Sequence, residues 1–462
     1  MTKIWDAVVV GGGLSGLISA WELGKAGNSV LLLEASSSLG GAIASTALAG
    51  HMVDSGAEAF SVASNSALDL IEELGLTEKI VEPARSDARI IHQGKMFQIP
   101  HGLMGIPSKL TDPEVELILG TEERDLAQKL DAAPWNITTE SSLGEVVEKR
   151  MGRAVVEKIV NPITAGVHAS NSYLLEMDSI LPGVLDLAAA KGSLELAVRE
   201  IRNISGRPGS AVRGLDGGIF QIIDELKKQL VKYQVKIRLE QQVQQVEFDA
   251  TIGCWVTFMN TERVLSRKLV LAVPAHKAAL FLTQNLEIAD QLLSIKAVDV
   301  AVVILAVKSR QLDSQPLGSG VLVVEDQGDI KAKASTHATA KWGWLKELYG
   351  NDVEIIRFSY GRDGFLPEDL SQLLDFAEAD LRSLYGLTNF EILDSVLAPW
   401  KGVLVQSTIG HRVRLQKISN LVNVQVGLAV VGAGMGGNGI IGTIKKTKES
   451  IARLEKEYID HD

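Results

Sequence analysis

The spacing of hydrophobic and polar positions changes along the chain, and each change marks an element. Val8, Val9 and Val10 form a short β-branched run that stops at Gly11, and Ser29 to Leu33 forms a second apolar run. Between them Leu17, Ala20, Trp21 and Leu23 recur at helical spacing within Ser15 to Lys25. Gly27 supplies a left-handed stop before the second run. A strand, a glycine turn, a helix and a buried parallel strand are therefore predicted over Ala7 to Glu34.

Further along, Ser64 to Gly75 predicts a helix, and Ile90 to Gln98 a pair of short strands around a Gln93-Gly94 turn. Residues 113–192 are mostly helical in pattern, interrupted at Pro134, at the Asn161-Pro162 step and at Pro182. The polar, glycine-rich stretch Ser205 to Gly218 reads as a linker, and Ile219 to Tyr233 as an amphipathic helix. Short strands are predicted at Val235 to Leu239, Val243 to Phe248, Trp255 to Met259 and Leu269 to Val273. Longer ones follow at Val298 to Val307 and Glu354 to Tyr360, with Pro367 to Tyr385 helical. Val424 to Val431 reads as a last strand and Ile440 to Tyr458 as a last helix.

Composition narrows the class. A chain of 462 residues with 46% hydrophobic content can bury a large core divided among two or three interleaved units. The longest clean apolar stretch, Val298 to Val307, carries Asp299 and ends at Lys308, far short of the ~18 residues of a membrane span. With no leader pattern at the N-terminus, a cytoplasmic protein is expected, and a peripheral membrane contact stays open. The single cysteine, Cys254, leaves no disulfide framework or cysteine-based metal site, and no metal is expected. A net charge of −11 disfavours nucleic acid as a partner. It does not disfavour a small anion held by a local cation.

The chemistry sits first in Gly11-Gly12-Gly13-Leu14-Ser15-Gly16, a G-x-G-x-x-G turn between a predicted strand and helix. The first glycine allows the tight turn, the second lets the backbone approach a pyrophosphate, and Gly16 lets helix and strand pack. The helix N-terminus offers its free N–H groups to the anion. Glu34 ends the next strand at the spacing of an acid that accepts hydrogen bonds from a ribose hydroxyl.

A second match, Gly432-Ala433-Gly434-Met435-Gly436-Gly437, is followed by too few residues for another complete βαβ unit. It reads as part of the same site, closed from both ends of the chain. The continuation Glu34-Ala35, Leu39-Gly40-Gly41-Ala42 and Val53-Asp54-Ser55-Gly56-Ala57-Glu58 resembles FAD enzymes of the glutathione-reductase and amine-oxidase type. That resemblance implies FAD rather than a nicotinamide.

The middle and end of the chain are more specific. Ser142-Leu143-Gly144-Glu145, Arg150-Met151-Gly152, Asn161-Pro162-Ile163-Thr164-Ala165-Gly166-Val167-His168-Ala169, Gly217-Gly218-Ile219-Phe220, Lys341-Trp342, Ala398-Pro399-Trp400, Gly410-His411 and Gly436-Gly437-Asn438-Gly439-Ile440 resemble bacterial protoporphyrinogen and coproporphyrinogen oxidases. The resemblance implies an α/β fold: a discontinuous Rossmann-type FAD-binding domain, a mixed-sheet substrate domain and a helical lobe. Their expected extents are residues 1–75, 205–275 and 405–462 for the first, 76–112 and 276–404 for the second, and 113–204 for the lobe.

By the same resemblance, FAD contacts fall on Gly11 to Gly16, Glu34, Ala35, Gly40 to Ala42, Gly56, Ala57, Glu58, Ala59, Val243, Trp400 and Gly437 to Ile440. Ala42 stands where the family is often basic, Phe60 to Asn65 lacks the family's usual cation, and His168 replaces a usual tyrosine. The implied reaction is oxidation of a porphyrinogen, coproporphyrinogen III or protoporphyrinogen IX, by three two-electron hydride transfers to flavin. O2 or another acceptor then takes the electrons, and the enzyme is a monomer or homodimer. Arg213, Lys341, Arg207, His411 and Arg412 are candidates to hold propionates, and His168 is a candidate proton acceptor. The alternatives are an FAD amine oxidase, a carotenoid desaturase, or a flavin-binding homologue without turnover.

Overall fold

The structure is a computed structural model and describes residues 3–84, 87–137, 141–205, 212–260, 262–314, 317–325, 328–436 and 439–459. The apolar runs near the N-terminus form the centre of a mixed sheet. Ile4–Val10 pairs in parallel with Val30–Leu33 on one side and with Arg263–Leu271 on the other, and Lys236–Arg238 adds a strand beyond Val30–Leu33. Val8, Val9 and the run from Val30 to Leu33 are buried because helices cover both faces, which is why these strands show no polar alternation. Leu14–Lys25, Gln221–Lys232 and Ile440–Ile459 pack on one face through Leu17, Leu226 and Ile444. Ala275–Phe281, Leu286–Leu293 and His411–Asn423 cover the other through Ala278, Leu292 and Ile418.

Arg263–Leu271 does two jobs. Its first half pairs antiparallel with Cys254–Met259, and its second half pairs in parallel with Leu428–Val430, so the C-terminal strand returns beside the N-terminal unit. The predicted strand at Leu269 to Val273 is thus the end of a nine-residue strand. The predicted Val424 to Val431 strand shrinks to three residues, because helix His411–Asn423 runs into its start and leaves Val424 exposed.

A second sheet, seven-stranded among the described residues, runs Glu391–Val405, Ala297–Lys308, Glu354–Tyr360, Ala334–His337, Gly320–Val323, Arg89–His92, Lys95–Gln98. Side chains alternate across it. Ala301, Val303 and Leu305 pack under helix Gln372–Tyr385, while Ile304 and Ala306 face Leu48, Val53 and Trp342. Gln93 and Gly94 both take positive φ, the turn that two-residue hairpins require, in agreement with the predicted pair of strands. Glu391–Val405 was not legible in the sequence, because Pro399 and Gly402 interrupt its pattern and much of it is half-exposed.

Between the sheets' sequences lies a helical lobe with its own core around Val146, Ile159, Leu185 and Val198. At its centre Arg150 and Asp131 are both buried and 3.4 Å apart. Arg150 also donates to the carbonyls of Ala133 and Gly192, and Asp131 accepts the N–H groups of Leu194 and Glu195 at the start of helix Leu194–Ser205.

Candidate functional site

The glycine turn is packed as its spacing implies. A side chain at Gly11 would meet the Ala272 carbonyl and Val273, and one at Gly16 would strike the Gly11 carbonyl. A methyl group on Gly13, by contrast, would project into open space, with Gly41 Cα its nearest neighbour at 3.9 Å. That space is the near end of a cavity of about 1300 Å³. Glu34 borders it with a fixed carboxylate: Oε2 accepts the Gly12 N–H at 2.5 Å and Oε1 the Ser36 N–H at 2.8 Å. A carboxylate has lone pairs to spare beyond these two bonds, so it can still accept from a diol.

Of the other residues expected to hold a cofactor, Gly11, Gly13, Leu14, Ser15, Ala35, Gly40, Gly41, Ala42, Gly56, Ala57, Val243, Trp400, Gly439 and Ile440 line this one cavity. Gly432 to Gly434 join them from the C-terminal strand. Gly437 and Asn438 lie outside the described residues. The buried Trp400 Nε1, in the same lining, has no hydrogen-bond partner among the described residues. An elongated slot with a backbone cradle, an acid at one side and an orphaned indole N–H fits a dinucleotide with a polar ring system.

Gly12, Gly16, Glu58 and Ala59 do not line the slot. Glu58 is bound to Lys341 at 2.6 Å and lies 3.4 Å from the Arg357 guanidinium. Burial would raise the Glu58 carboxyl, but Lys341 and Arg357 hold it below its usual range. Arg357 also donates to the carbonyls of Asp54 and Gly56. This cluster fastens the Gly56 segment to the second sheet. Beside it, Asp54 accepts the N–H groups of Ile219 and Phe220, and burial pushes its carboxyl up to about 7 against those bonds.

The family model of flavin containing amine oxidoreductases matches residues 14–400. The chain belongs to that family. FAD is the cofactor of this flavin oxidoreductase. Coproporphyrinogen III oxidase of Mycobacterium leprae is 28% identical over 468 residues, covering 97% of this chain and 98% of the relative. Coproporphyrinogen III oxidase of Mycobacterium bovis is 30% identical over 418 residues, covering 87% of each. A solved structure from Exiguobacterium, provisionally assigned as a protoporphyrinogen oxidase, superposes with a TM-score of 0.84. It is 24% identical and covers 99% of this chain and 100% of its own, so it shows the fold.

Three of the cations that the sequence singled out for substrate are ion-paired elsewhere in this flavin oxidoreductase. Lys341 is the partner of Glu58, Arg213 pairs with Glu82 at 2.6 Å, and Arg412 pairs with Asp178 at 3.0 Å. His411 is buried, and burial, then Arg414, lowers its ring's affinity for a proton. Arg207 lies outside the described residues. His168 is not in the lining; its carbonyl accepts Gln406 Nε2 at 2.7 Å, and burial, then Lys333, pushes its ring down to about 4.

Part of the cavity is built from residues that motif reading passed over. Val300 and Val302 from one strand, Ser359 from the next, Gly166 and Val167 from the helical lobe, and Lys333 enclose it. His276 and the exposed Lys277 lie at the helix Ala275–Phe281. Lys333 follows the alternating pattern of Lys331, Ala332, Lys333 and Ala334, which reads as a solvated strand edge. Nothing local marks it as buried.

Proposed function

We propose that this flavin oxidoreductase oxidises coproporphyrinogen III to coproporphyrin III in haem biosynthesis, working in the cytoplasm with O2 as electron acceptor. One observation carries the reading: beyond Glu34, the described lining of the cavity holds no carboxylate, while it holds Lys277 and Lys333. A protonated amine would enter that space without a counter-charge, whereas an apolar macrocycle with carboxylate arms meets a cation and an aliphatic wall. The names of the relatives that span nearly the whole chain support the same substrate class.

FAD, when bound, supplies the acceptor for each of the hydrides that leave the macrocycle. The chain's own residues bind, orient and exclude water. Glu34, Gly13 and Gly41 would hold the dinucleotide, and Trp400 Nε1 offers a donor to it. Val300, Val302, Leu404 and Phe281 present an apolar surface on which a flat or puckered tetrapyrrole loses water. His168 is neutral at physiological pH and is not in the cavity lining, so the protons that accompany each hydride are not assigned to it.

Anaerobic mixing of the FAD-loaded protein with coproporphyrinogen III, protoporphyrinogen IX and putrescine tests the reading. Flavin bleaching, fastest for coproporphyrinogen III, is expected before air is admitted, and porphyrin fluorescence grows once O2 reoxidises the flavin for the remaining two-electron steps. Bleaching by putrescine alone would establish an amine oxidase, and no bleaching by any of the three a flavin-binding protein without turnover.

A further inference from the structure

Within the reading of a porphyrinogen oxidase, the cavity still needs a group that fixes the carboxylate arms. Lys333 is 3% exposed, and its ammonium donates to the Gly166 carbonyl at 3.1 Å. Among the described residues it has no ion-pair partner. An ammonium carries three donors, so two N–H bonds remain unfilled in a buried setting, a costly arrangement that folds do not keep for stability. The backbone beside it is fixed, since the Lys333 N–H donates to the Ser359 carbonyl at 2.9 Å. Both residues line the cavity, and the Ser359 hydroxyl has no partner among the described residues.

We propose that Lys333, with the Ser359 hydroxyl beside it, is the site that binds a substrate carboxylate in the cavity. Ammonium and hydroxyl together give a carboxylate two donors, and the bond to the Gly166 carbonyl holds the ammonium in place. Among the described residues no carboxylate pairs with it. The charged and titratable groups on neighbouring elements are occupied: Arg362 donates to the Val323 carbonyl, Asp363 accepts the Asn171 N–H, and Asp380 accepts the N–H groups of Lys331 and Ala332. His168 stays neutral beside it. Burial, then Arg362, pushes the Lys333 amine down to about 8, so it is mostly charged near neutrality and loses its charge just above.

This site differs from the cations that motif reading suggested. Because Lys341, Arg213 and Arg412 are bound to Glu58, Glu82 and Asp178, using one of them would break an ion pair at each turnover. Lys333 gains a counter-charge when substrate arrives and loses none.

The test uses FAD-loaded wild type, Lys333→Met and Lys333→Gln with coproporphyrin III and its tetramethyl ester as probes, alongside steady-state turnover of coproporphyrinogen III. Loss of one charge-assisted pair predicts roughly tenfold or greater weakening of coproporphyrin III binding in both variants at neutral pH. KM rises in parallel and kcat changes less than about threefold. Wild-type binding weakens from about pH 7 to about pH 9.5, the variants lose that dependence, and the ester binds all three proteins alike. Affinity and KM within about twofold of wild type in the variants overturns the proposal, as does a fall in kcat at constant KM, which indicates proton transfer instead. Should neither variant retain FAD, the wild-type titration decides, and binding that does not weaken through pH 8 overturns it. Failure of wild type to oxidise coproporphyrinogen III overturns the porphyrinogen reading itself, an outcome distinct from normal turnover by wild type and variants together.

Discussion

The Lys341 ammonium lies 2.6 Å from the Glu58 carboxylate, across 283 residues of sequence, and both side chains are largely buried. The pair ties the Gly56 segment, which borders the cofactor slot, to the short helix Ala338–Lys341 that follows the second sheet's Ala334–His337 strand. Lys341→Met leaves Glu58 with Arg357 alone. Partial burial limits the cost to about 2 kcal/mol, and FAD retention falls with it. Thermal unfolding with and without added FAD checks this. KM for coproporphyrinogen III stays within about twofold, which separates a fastening role from substrate binding. Glu58→Gln combined with Lys341→Met recovers part of the loss, because no charge is then left uncompensated.

Glu34 is positioned by two backbone N–H groups, those of Gly12 and Ser36. Glu34→Ala removes the acceptor facing the slot and frees the Gly12 N–H. FAD affinity falls by about 10-fold to 100-fold, the range of one or two charge-assisted hydrogen bonds, with the fold retained. Flavin fluorescence on dilution measures it. Unchanged affinity would contradict the assignment of Glu34 to the cofactor.

Asp54 has its carboxyl raised from 3.8 to about 7, by burial first and against the pull of the Ile219 and Phe220 N–H groups and Arg357. The folded state therefore binds this proton more tightly than the unfolded chain. Its stabilising contribution is complete below about pH 4 and is lost as pH rises through about 7, on the order of a few kcal/mol. In Asp54→Asn the slope of stability against pH between those values is smaller than in wild type. Urea midpoints at a series of pH values test the sign; a steeper slope in the variant contradicts it.

Asp131→Ala removes both the counter-charge of buried Arg150 and the acceptor at the start of helix Leu194–Ser205. A loss of about 3–5 kcal/mol is expected from the uncompensated guanidinium, and a further ~1 kcal/mol from the missing cap. Chemical denaturation reads the total. Arg150→Met costs less than Asp131→Ala, because it leaves a capping carboxylate with hydrogen bonds still made.

The N-terminal unit was legible because its signals are local. The β-branched run, Gly11 to Gly16, the helical spacing from Leu17 to Leu23 and the acid at Glu34 fall within one short segment, and tight turns and helix starts depend on near neighbours. The return of the C-terminal strand was legible for a related reason: an incomplete second glycine motif has to be closed by strands from elsewhere. Strand Glu391–Val405 was hidden, since its proline, its glycine and its half-exposed face erase the alternation that marks a strand.

Substrate-facing charge was not legible at all. Whether a lysine is available depends on which carboxylate the fold brings to it, and those partners come from far away in sequence: Glu58 reaches Lys341, and Glu82 reaches Arg213. Lys333 shows the converse. Its alternating surroundings read as surface, yet the fold buries it beside the cavity, where it meets the carbonyl of Gly166, 167 residues earlier. The sequence by itself determined the flavin-binding turn and the class of fold, because short-range sterics and periodicity act on neighbouring residues. Tertiary structure alone decided which cations are spent in ion pairs and that Lys333 lies buried against the cavity, because ion pairing and desolvation are set by distance in space.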